Sequence, residues 1–309
     1  MPTAIHTIDV NYLNTPGAIA SYIVIGPGGD PVMVETGPGC AVEGLVAGLK
    51  ELGFRPRDVR DVLVTHIHFD HAGAAGWMAR EGARIHVHEF GAAHLVDPTR
   101  LVRSAERIYG DRMGVLWGEL IPVPEKQVRP VYDGDAIDAG GLRFRAIETP
   151  GHARHHHAYG LETEDLGRVA FTGDAAATFV EEAPGFISLP TPPPEFELAA
   201  WISSLDRLGE EGLDRIYPTH FGVVEDVPGH LTRVKQTLRD HAEFVRRQID
   251  AGHDHDTIVE RYTNWFLDHA AATALPEPKV GFYVKDTMAS MNVSGMMRYW
   301  AKMAERMTT

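Results

Sequence analysis

The amino-acid sequence predicts an α/β protein of the α+β type, with two β-sheets, helices on their outer faces and a C-terminal helical addition. Strand-like and helix-like patterns alternate through two successive halves of the chain. After about residue 225, amphipathic helical patterns replace the strand patterns. The 309 residues suffice for one large domain with an appendage, since domains commonly hold about 100–200 residues. We therefore predict a main domain over residues 1–225 and a helical extension over residues 226–309.

The first half of the chain has the predicted order ββαβαβ. β-branched runs on both sides of a Gly/Pro turn indicate a hairpin, apolar residues at helical spacing indicate helices, and a short apolar run without polar alternation indicates a buried strand. The predicted elements are a hairpin over residues 20–36, a helix over 41–52, a strand over 61–65, a helix over 74–81 and a strand over 84–88. Residues 89–130 are predicted to be mostly helix and loop.

The second half resumes with strands and ends in helices. Strands are predicted at residues 142–148, 157–162, 169–172 and 215–217, with a helix at 195–208 before the last of them. The extension shows amphipathic helical patterns at 229–251, 254–272 and 287–306, and a strand-like pattern, GFYV, at 281–284. The chain contains no internal repeat and no low-complexity tract.

Composition narrows the classes of partner. The formal net charge of −14 opposes binding to a phosphate backbone, and the sequence has no dense Lys/Arg cluster to overcome it. The single cysteine, Cys40, excludes an internal disulfide and a Cys-rich zinc site. The N-terminal residues lack the pattern of a signal peptide, and no apolar run approaches the ~20 residues of a membrane span. We expect a cytoplasmic protein with a small-molecule substrate, without nucleic-acid or membrane partners, and with a homodimer as an alternative to a monomer.

The residues that carry chemistry begin directly after the predicted strand DVLV. The segment Thr65–His71 reads THIHFDH and holds three imidazoles and one carboxylate within six residues. Ligands at the end of a strand are held by a rigid element while their tips project from it. Imidazole and carboxylate together suit Zn²⁺, and also Fe or Mn. A chance or surface cluster is the alternative, and the position between an apolar strand and Ala72-Gly73 argues against it.

Three further candidates follow, each at the end of a predicted strand. They are His152 in TPGH, Asp174 in FTGD and His220 in YPTH. Each alone could be a turn residue or a helix cap. Their order behind the motif H-x-H-x-D-H favours a metal centre assembled from separate parts of the chain.

This set of motifs resembles the metallo-β-lactamase superfamily of hydrolases over roughly residues 15–225. The resemblance implies a four-layer αββα sandwich, with the catalytic domain at residues 1–225 and the metals at one edge of its sheets. It also implies two metal ions, the first held by His66, His68 and His152 and the second by Asp70, His71 and His220. Asp174 would bridge both ions together with a water or hydroxide, and Asp70 and Asp174 are therefore the predicted catalytic residues.

The chemistry that the resemblance implies is hydrolysis of an ester, thioester, lactone or phosphodiester. Two divalent ions, with Zn²⁺ favoured over Fe or Mn, lower the pKa of a shared water enough to supply hydroxide near neutral pH. The ions also polarise the oxygen of the substrate and stabilise the oxyanion that forms. The sequence contains no G-x-S-x-G motif, so a serine nucleophile is not indicated.

Several alternatives remain open at the level of sequence. The layout resembles the glyoxalase-II-like thioesterases, and the string HFDHAG is similar to quorum-quenching lactonases, although Ala177 stands where those often have tyrosine. A mononuclear iron dioxygenase acting on a persulfide uses the same fold and retains the same ligands. A non-catalytic binding protein would be favoured only by a missing ligand.

Other residues are predicted to support the site. Glu35 stands where the family usually has aspartate, and is expected either to orient the metal-binding loop or to be a turn residue. His156 is expected to be structural, and His155 and His157 to be solvated or packed. The extension is expected to pack near the active-site cleft, where its aromatic residues would favour an apolar substrate. The loop with Tyr109 and Trp117 would close the other side.

Overall fold

The computed structural model describes residues 2–284 and 287–308. Residues 1 and 309, at the outer ends of the two predicted domains, lie outside the described residues. The chain groups into two compact units: residues 1–148, 155–173 and 212–225 form the first, and residues 149–154, 174–211 and 226–309 form the second. One of the points at which the chain passes from the first unit to the second lies between Glu225 and Asp226. The division into a domain 1–225 and an extension 226–309 stays a prediction.

The first unit contains a six-stranded sheet in the order β1-β2-β3-β4-β5-β6. The first three strands pair antiparallel, and β3 to β6 pair parallel. The strands are β1 (Ala4–Asp9), β2 (Ala20–Ile25), β3 (Pro31–Val34), β4 (Asp61–Leu63), β5 (Arg84–His88) and β6 (Val128–Val131). The predicted hairpin is therefore β2 and β3, and it is confirmed.

Two edge strands of this sheet were not predicted from the sequence. β1 is only partly buried, so its pattern lacks the continuous apolar run that marked β2 and β4. β6 lies at the end of the segment 89–130 that was predicted to be mostly helix and loop, and it contains Arg129 and Pro130. A proline is compatible with an edge strand, since one side of an edge strand donates no ladder hydrogen bonds.

A five-stranded sheet has the order β11-β10-β9-β8-β7. β7, β8, β9 and β10 pair antiparallel in sequence order. The strands are β7 (Ala136–Ala139), β8 (Leu142–Glu148), β9 (His157–Thr163), β10 (Gly167–Thr178) and β11 (Arg215–His220). The four strands predicted in this half are confirmed, and β7 is an additional edge strand.

The two sheets pack face to face through one apolar cluster in the first unit. Val24 and Val34 from one sheet and Phe144 and Phe171 from the other are buried in this cluster. The ring of Tyr22 lies 5.4 Å from the ring of Phe171 across it. Alternating apolar residues on each strand therefore form the core of a β-sandwich, as predicted.

The helices of the first unit include α1, which packs against β1, α3, which packs against β5, and α4, which packs against β5 and β6. They are α1 (Val42–Glu51), α2 (Phe69–Ala72), α3 (Ala75–Arg80), α4 (Glu89–Val96), α5 (Thr99–Tyr109) and α6 (Met113–Leu116). The predicted helices at 41–52 and 74–81 are confirmed by α1 and α3. Helices packed on a β-sandwich match the fold that the sequence predicts.

The second unit is mainly helical. Its helices are α7 (Leu198–Glu210), α8 (Val227–Asp250), α9 (His255–Ala272), α10 (Glu277–Val284) and α11 (Thr287–Thr308). The strand-like interpretation of GFYV at 281–284 is wrong, because these residues end α10. A four-residue apolar run has no period of its own, and packing against α9 and α11 decides its conformation. In the described residues, no helix is long and apolar enough to cross a membrane.

Candidate metal centre

The motif H-x-H-x-D-H follows β4 and runs into the short helix α2, which contains Asp70 and His71. His66 and His71 are fully buried, whereas the side chain of Asp70 is 21% exposed. The rings of His66 and His71 lie 3.9 Å apart, and His66 Nε2 lies 2.9 Å from His68 Nδ1. Three imidazoles are therefore gathered at the carboxyl end of one buried strand, as the spacing predicted.

Asp70, His71 and His220 form one group of possible ligands in the first unit. Asp70 Oδ2 lies 3.6 Å from His71 Nε2 and 3.4 Å from His220 Nε2. His220, the last residue of β11, places its Nδ1 2.7 Å from the carbonyl oxygen of Ala18. That carbonyl can only accept, so Nδ1 of His220 donates to it, and in the neutral imidazole Nε2 then presents a lone pair.

Glu35 is buried against the residues of this group and contacts His71. Its carboxylate is 1% exposed and accepts hydrogen bonds from the hydroxyl groups of Thr65 and Thr219. Its Oε1 also lies 3.3 Å from Nδ1 of His71. A buried carboxylate needs such donors to offset its lost hydration. Of the two expectations for Glu35, contact with the metal-binding loop is the one that the structure shows.

His152 and Asp174 form a second group, in the second unit. His152 Nε2 lies 3.3 Å from Asp174 Oδ2, and His152 Nδ1 lies 2.8 Å from the carbonyl oxygen of Pro190. The relative exposures are 1% for His152 and 2% for Asp174. Gly151, with φ +135°, precedes the histidine, and a Cβ there would overlap Trp201 at the start of α7. The glycine thus permits the close approach of α7.

The donor atoms of both groups fit divalent metal ions. His71, His152 and His220 each direct Nε2 toward a carboxylate, while Nδ1 faces an oxygen acceptor. This arrangement selects the tautomer whose Nε2 lone pair can coordinate a metal ion. The N–O spacings of 3.3 to 3.6 Å suit the separation of about 3.4 Å between ligand atoms that each lie about 2.1 Å from a tetrahedral ion.

The remaining histidines of the HARHHH run are packed rather than solvated. His155, His156 and His157 are at most 7% exposed. The rings of His155 and His156 lie 6.1 and 4.9 Å from that of His66. The rings of His155 and His156 therefore pack beside a predicted ligand.

A further histidine–carboxylate cluster comprises His88, Glu89 and His157. The rings of His88 and His157 are stacked 4.2 Å apart with an interplanar angle of 26°. Two imidazoles coordinate one ion through lone pairs in their ring planes, and nearly parallel stacked planes do not meet at one ion. Nδ1 of His88 accepts the backbone N–H of Phe90 instead, which caps the N-terminus of α4.

An aromatic cluster lies beside the motif in the first unit. The ring of Trp117 lies 5.7 Å from that of Phe69, 5.3 Å from that of Tyr109 and 5.9 Å from that of Tyr12. Burial, followed by the charge of Asp70, raises the pKa of Tyr109 to about 12. The hydroxyl of Tyr109 therefore interacts electrostatically with Asp70, a predicted ligand. The sequence indicated Tyr109 and Trp117 but missed Tyr12.

Two residues that serve the site were also missed. Thr65 and Thr219 each precede a predicted ligand, His66 and His220, and each hydroxyl donates to Glu35. A threonine directly before a ligand histidine in both motifs was a signal available in the sequence. Their shared partner was not, because Thr219 is 184 residues from Glu35.

The two packed sheets and the clustered histidine and aspartate residues define an α+β protein whose side chains suit metal binding. A family model described as the metallo-beta-lactamase superfamily matches residues 14–220. The chain therefore belongs to the metallo-beta-lactamase superfamily, and the fold and family expected from the sequence are confirmed. The matched range includes all seven predicted ligands: His66, His68, Asp70, His71, His152, Asp174 and His220.

Individual proteins are similar at lower levels. A metallo-beta-lactamase fold-containing protein of Sulfurisphaera tokodaii is 31% identical over 150 residues, which is 47% of this chain and 54% of that protein. An atrochrysone carboxyl ACP thioesterase of Aspergillus fumigatus is 24% identical over 295 residues, 90% of this chain and 59% of that protein. The chain thus spans little more than half the length of these relatives.

A solved structure shows the same fold. It is a metallo-beta-lactamase family protein of Thermus thermophilus, which superposes with a TM-score of 0.70. The two proteins are 24% identical, and the superposition covers 98% of this chain and 94% of the other. At this identity the likeness shows the fold alone.

Proposed function

We propose that the chain is a dinuclear, metal-dependent hydrolase that cleaves a thioester with an apolar, aromatic acyl group. One observation carries the hydrolase assignment. Asp70, His71 and His220 direct a carboxylate oxygen and two imidazole Nε2 atoms toward one another, while acceptors hold both Nδ1 atoms. Folding alone does not require three polar side chains to converge in this way.

The seven predicted ligands would hold two divalent ions, and Zn²⁺ is the ion that we propose. Imidazole and carboxylate donors without a cysteine suit zinc, with Fe and Mn as alternatives. When bound, such ions make a water acidic enough to attack at neutral pH and polarise the scissile carbonyl.

The remaining residues orient the ligands. Glu35 holds His71, the carbonyl of Ala18 holds His220, and the carbonyl of Pro190 holds His152. Because each of these groups accepts a hydrogen bond from Nδ1–H, each favours the tautomer whose Nε2 lone pair is directed toward the metal. Buried partners of this kind keep ligands in a productive geometry before the substrate arrives.

Two observations support a thioester among the substrates that the family hydrolyses. A relative that aligns over 90% of this chain is named as an acyl carrier protein thioesterase. The cluster of Tyr12, Phe69, Tyr109 and Trp117 also makes the surroundings of Asp70 aromatic and apolar. Aromatic rings pack favourably against a flat apolar group, and this selects an aromatic acyl chain.

The test compares three substrates on one preparation. We expect the zinc-loaded protein to cleave the N-acetylcysteamine thioester of an aromatic acid at least tenfold faster than bis(p-nitrophenyl) phosphate. The matching oxygen ester should be cleaved at an intermediate rate, and a chelator should abolish all three activities. Full activity after chelation would contradict a metal-dependent reaction. A faster rate on the phosphodiester would contradict the thioester, and oxygen uptake with a persulfide and iron would instead favour the dioxygenase.

A further inference from the structure

One peptide group in the second unit connects a predicted metal ligand to helix α11. The peptide between Pro190 and Thr191 accepts a hydrogen bond from Nδ1 of His152 at 2.8 Å through its carbonyl oxygen. Its N–H donates to Oδ1 of Asn292 at 2.9 Å. Because a peptide group is planar and rigid, the direction of the N–H sets the direction of the carbonyl. Asn292 therefore fixes the acceptor against which the imidazole of His152 is aligned.

The contact between the peptide and α11 is close, and the residues that make it are buried. The hydroxyl of Thr191 donates to the main-chain oxygen of Asn292 at 3.1 Å. Thr191 is fully buried and Asn292 is 1% exposed. A Cβ on Gly295, one turn further along α11, would overlap the carbonyl oxygen of Thr191. The absence of that side chain lets the helix approach the peptide.

Asn292 is in turn held by the core of the helical unit. The side chain of Tyr262 on α9 hydrogen-bonds to that of Asn292, and its hydroxyl lies 2.7 Å from Nδ1 of His241 on α8. With Oδ1 of Asn292 taken by Thr191, the amide NH₂ is the group left to donate to Tyr262. Burial lowers the pKa of His241 to about 3, so this imidazole is neutral and can accept from the tyrosine.

The result is a continuous chain of buried polar groups. It runs from His241 through Tyr262 and Asn292 to the Pro190–Thr191 peptide, and from there to His152. Each group within this chain donates one hydrogen bond and accepts another, and His241 and His152 form its two ends. Such an arrangement allows the hydrogen bonds to polarise one another. The chain leads only to Nδ1 of the histidine, the nitrogen that sets how Nε2 is presented.

We propose that Asn292 is a positioning residue for His152, through which helices α8, α9 and α11 set the metal affinity of the centre. The inference rests on the proposed function, because it requires His152 to be a metal ligand. It assigns part of the helical segment to metal binding, in addition to any contact with substrate. Partners that orient ligand histidines typically contribute about 10–100-fold to metal affinity.

The experiment measures zinc affinity of the full chain by competition with a chromophoric chelator. The variants are His152→Ala, Asn292→Leu, Tyr262→Phe and the control Val293→Ala. Leucine keeps the shape of asparagine without its amide, and we expect it to weaken zinc binding about 10–100-fold. Tyr262→Phe removes one oxygen and should weaken binding by a smaller factor. Val293 is fully buried beside Asn292, so Val293→Ala should lower stability without changing zinc affinity.

A second readout reports on the hydrogen bond itself. In ¹⁵N-histidine spectra of the zinc-loaded protein, the Nδ1–H of His152 should exchange slowly in the wild type and rapidly in Asn292→Leu. Thermal unfolding without zinc checks that each variant is folded.

The outcomes distinguish the ligand role of His152 from the positioning role of Asn292. Unchanged zinc affinity in His152→Ala would overturn the proposed function, and the positioning role with it. A loss in His152→Ala with wild-type affinity in both Asn292→Leu and Tyr262→Phe would overturn the positioning role alone. An equal loss in Val293→Ala and Asn292→Leu would also overturn it, since general packing would then explain both.

Discussion

Oε1 of Glu35 lies 3.3 Å from Nδ1 of His71, and neither side chain is more than 1% exposed. The same carboxylate accepts hydrogen bonds from Thr65 and Thr219, which precede the predicted ligands His66 and His220. One buried side chain thus connects two separate segments of the predicted metal centre. Such a group orients the predicted ligands.

Replacing Glu35 by glutamine should weaken zinc binding about 10–100-fold without unfolding the protein. Glutamine keeps the size of the side chain, but its NH₂ would face donors where the carboxylate accepted. The measurement is zinc competition, with Glu43→Gln on the exposed face of α1 as the control. Wild-type zinc affinity in Glu35→Gln would show that the contact with His71 has no role in binding.

Asp174→Ala should lower the metal content of the purified protein from two ions per chain toward one or none. Asp174 is proposed to bridge both ions, so its loss removes a ligand from each. Elemental analysis of wild type and variant, prepared in parallel, gives the two counts. A single ion per wild-type chain, unchanged in the variant, would refute the dinuclear assignment.

His66→Ala should reduce hydrolysis far more than His155→Ala. Both side chains are buried, and their rings lie 6.1 Å apart, so the two substitutions disturb similar surroundings. Only His66 is a proposed ligand, and loss of a ligand changes the charge and geometry at the metal. The rates of the two zinc-loaded variants decide this, and equal losses would remove His66 from the ligand set.

Gly151→Ala should destabilise the fold by about 2–5 kcal/mol. The residue has φ +135°, and a Cβ would overlap the backbone of Trp201, whose indole N–H donates to Ala175 at 2.8 Å. Gly209, in the last turn of α7, has open space where a methyl group would lie, so Gly209→Ala should be neutral or stabilising by about 0.5–1 kcal/mol. Urea unfolding of both variants tests the contrast, and equal effects would contradict it.

Stability should fall as the pH drops below about 6.5, partly because of His241. Burial lowers the pKa of this imidazole to about 3 in the folded protein, whereas it is about 6.5 when unfolded. Between these values only the unfolded chain binds the proton. The contribution of His241 to the free energy of unfolding is therefore constant above pH 6.5. Below that value, acidification lowers the free energy of unfolding by about 1.4 kcal/mol per pH unit.

Urea unfolding of the metal-free protein between pH 5 and 7 measures this dependence. His241→Leu should show a shallower slope by about 1.4 kcal/mol per pH unit, because the titrating group is gone. Tyr262→Phe is the matched control, since it removes the hydrogen bond to His241 but keeps the imidazole. An identical slope in wild type and His241→Leu would contradict the prediction.

The sequence by itself determined the parts of this protein that depend on near neighbours. His66, His68, Asp70 and His71 follow one buried strand, so their convergence depends on six consecutive residues. The hairpin of β2 and β3 and the long helices were likewise marked by local period and turn residues. The family resemblance rests on these same short motifs, and the family model confirms it.

Elements without a clear period needed the structure. β1, β6 and β7 are edge strands of mixed polarity, and GFYV is an apolar run too short to distinguish helix from strand. In each case packing against a neighbouring element decides the conformation, whether that element is close in the chain, as β8 is to β7, or remote, as β5 is to β6.

Only the tertiary structure decided how the ligands are oriented. Glu35 reaches Thr219 across 184 residues, and Asn292 reaches Thr191 across 101 residues. Neither contact follows from spacing, because a hydrogen bond between buried polar groups depends on how complete elements pack and not on local propensity. Short motifs therefore determine the identity of the predicted ligands, whereas the hydrogen bonds that hold them in place exist only once the chain has folded.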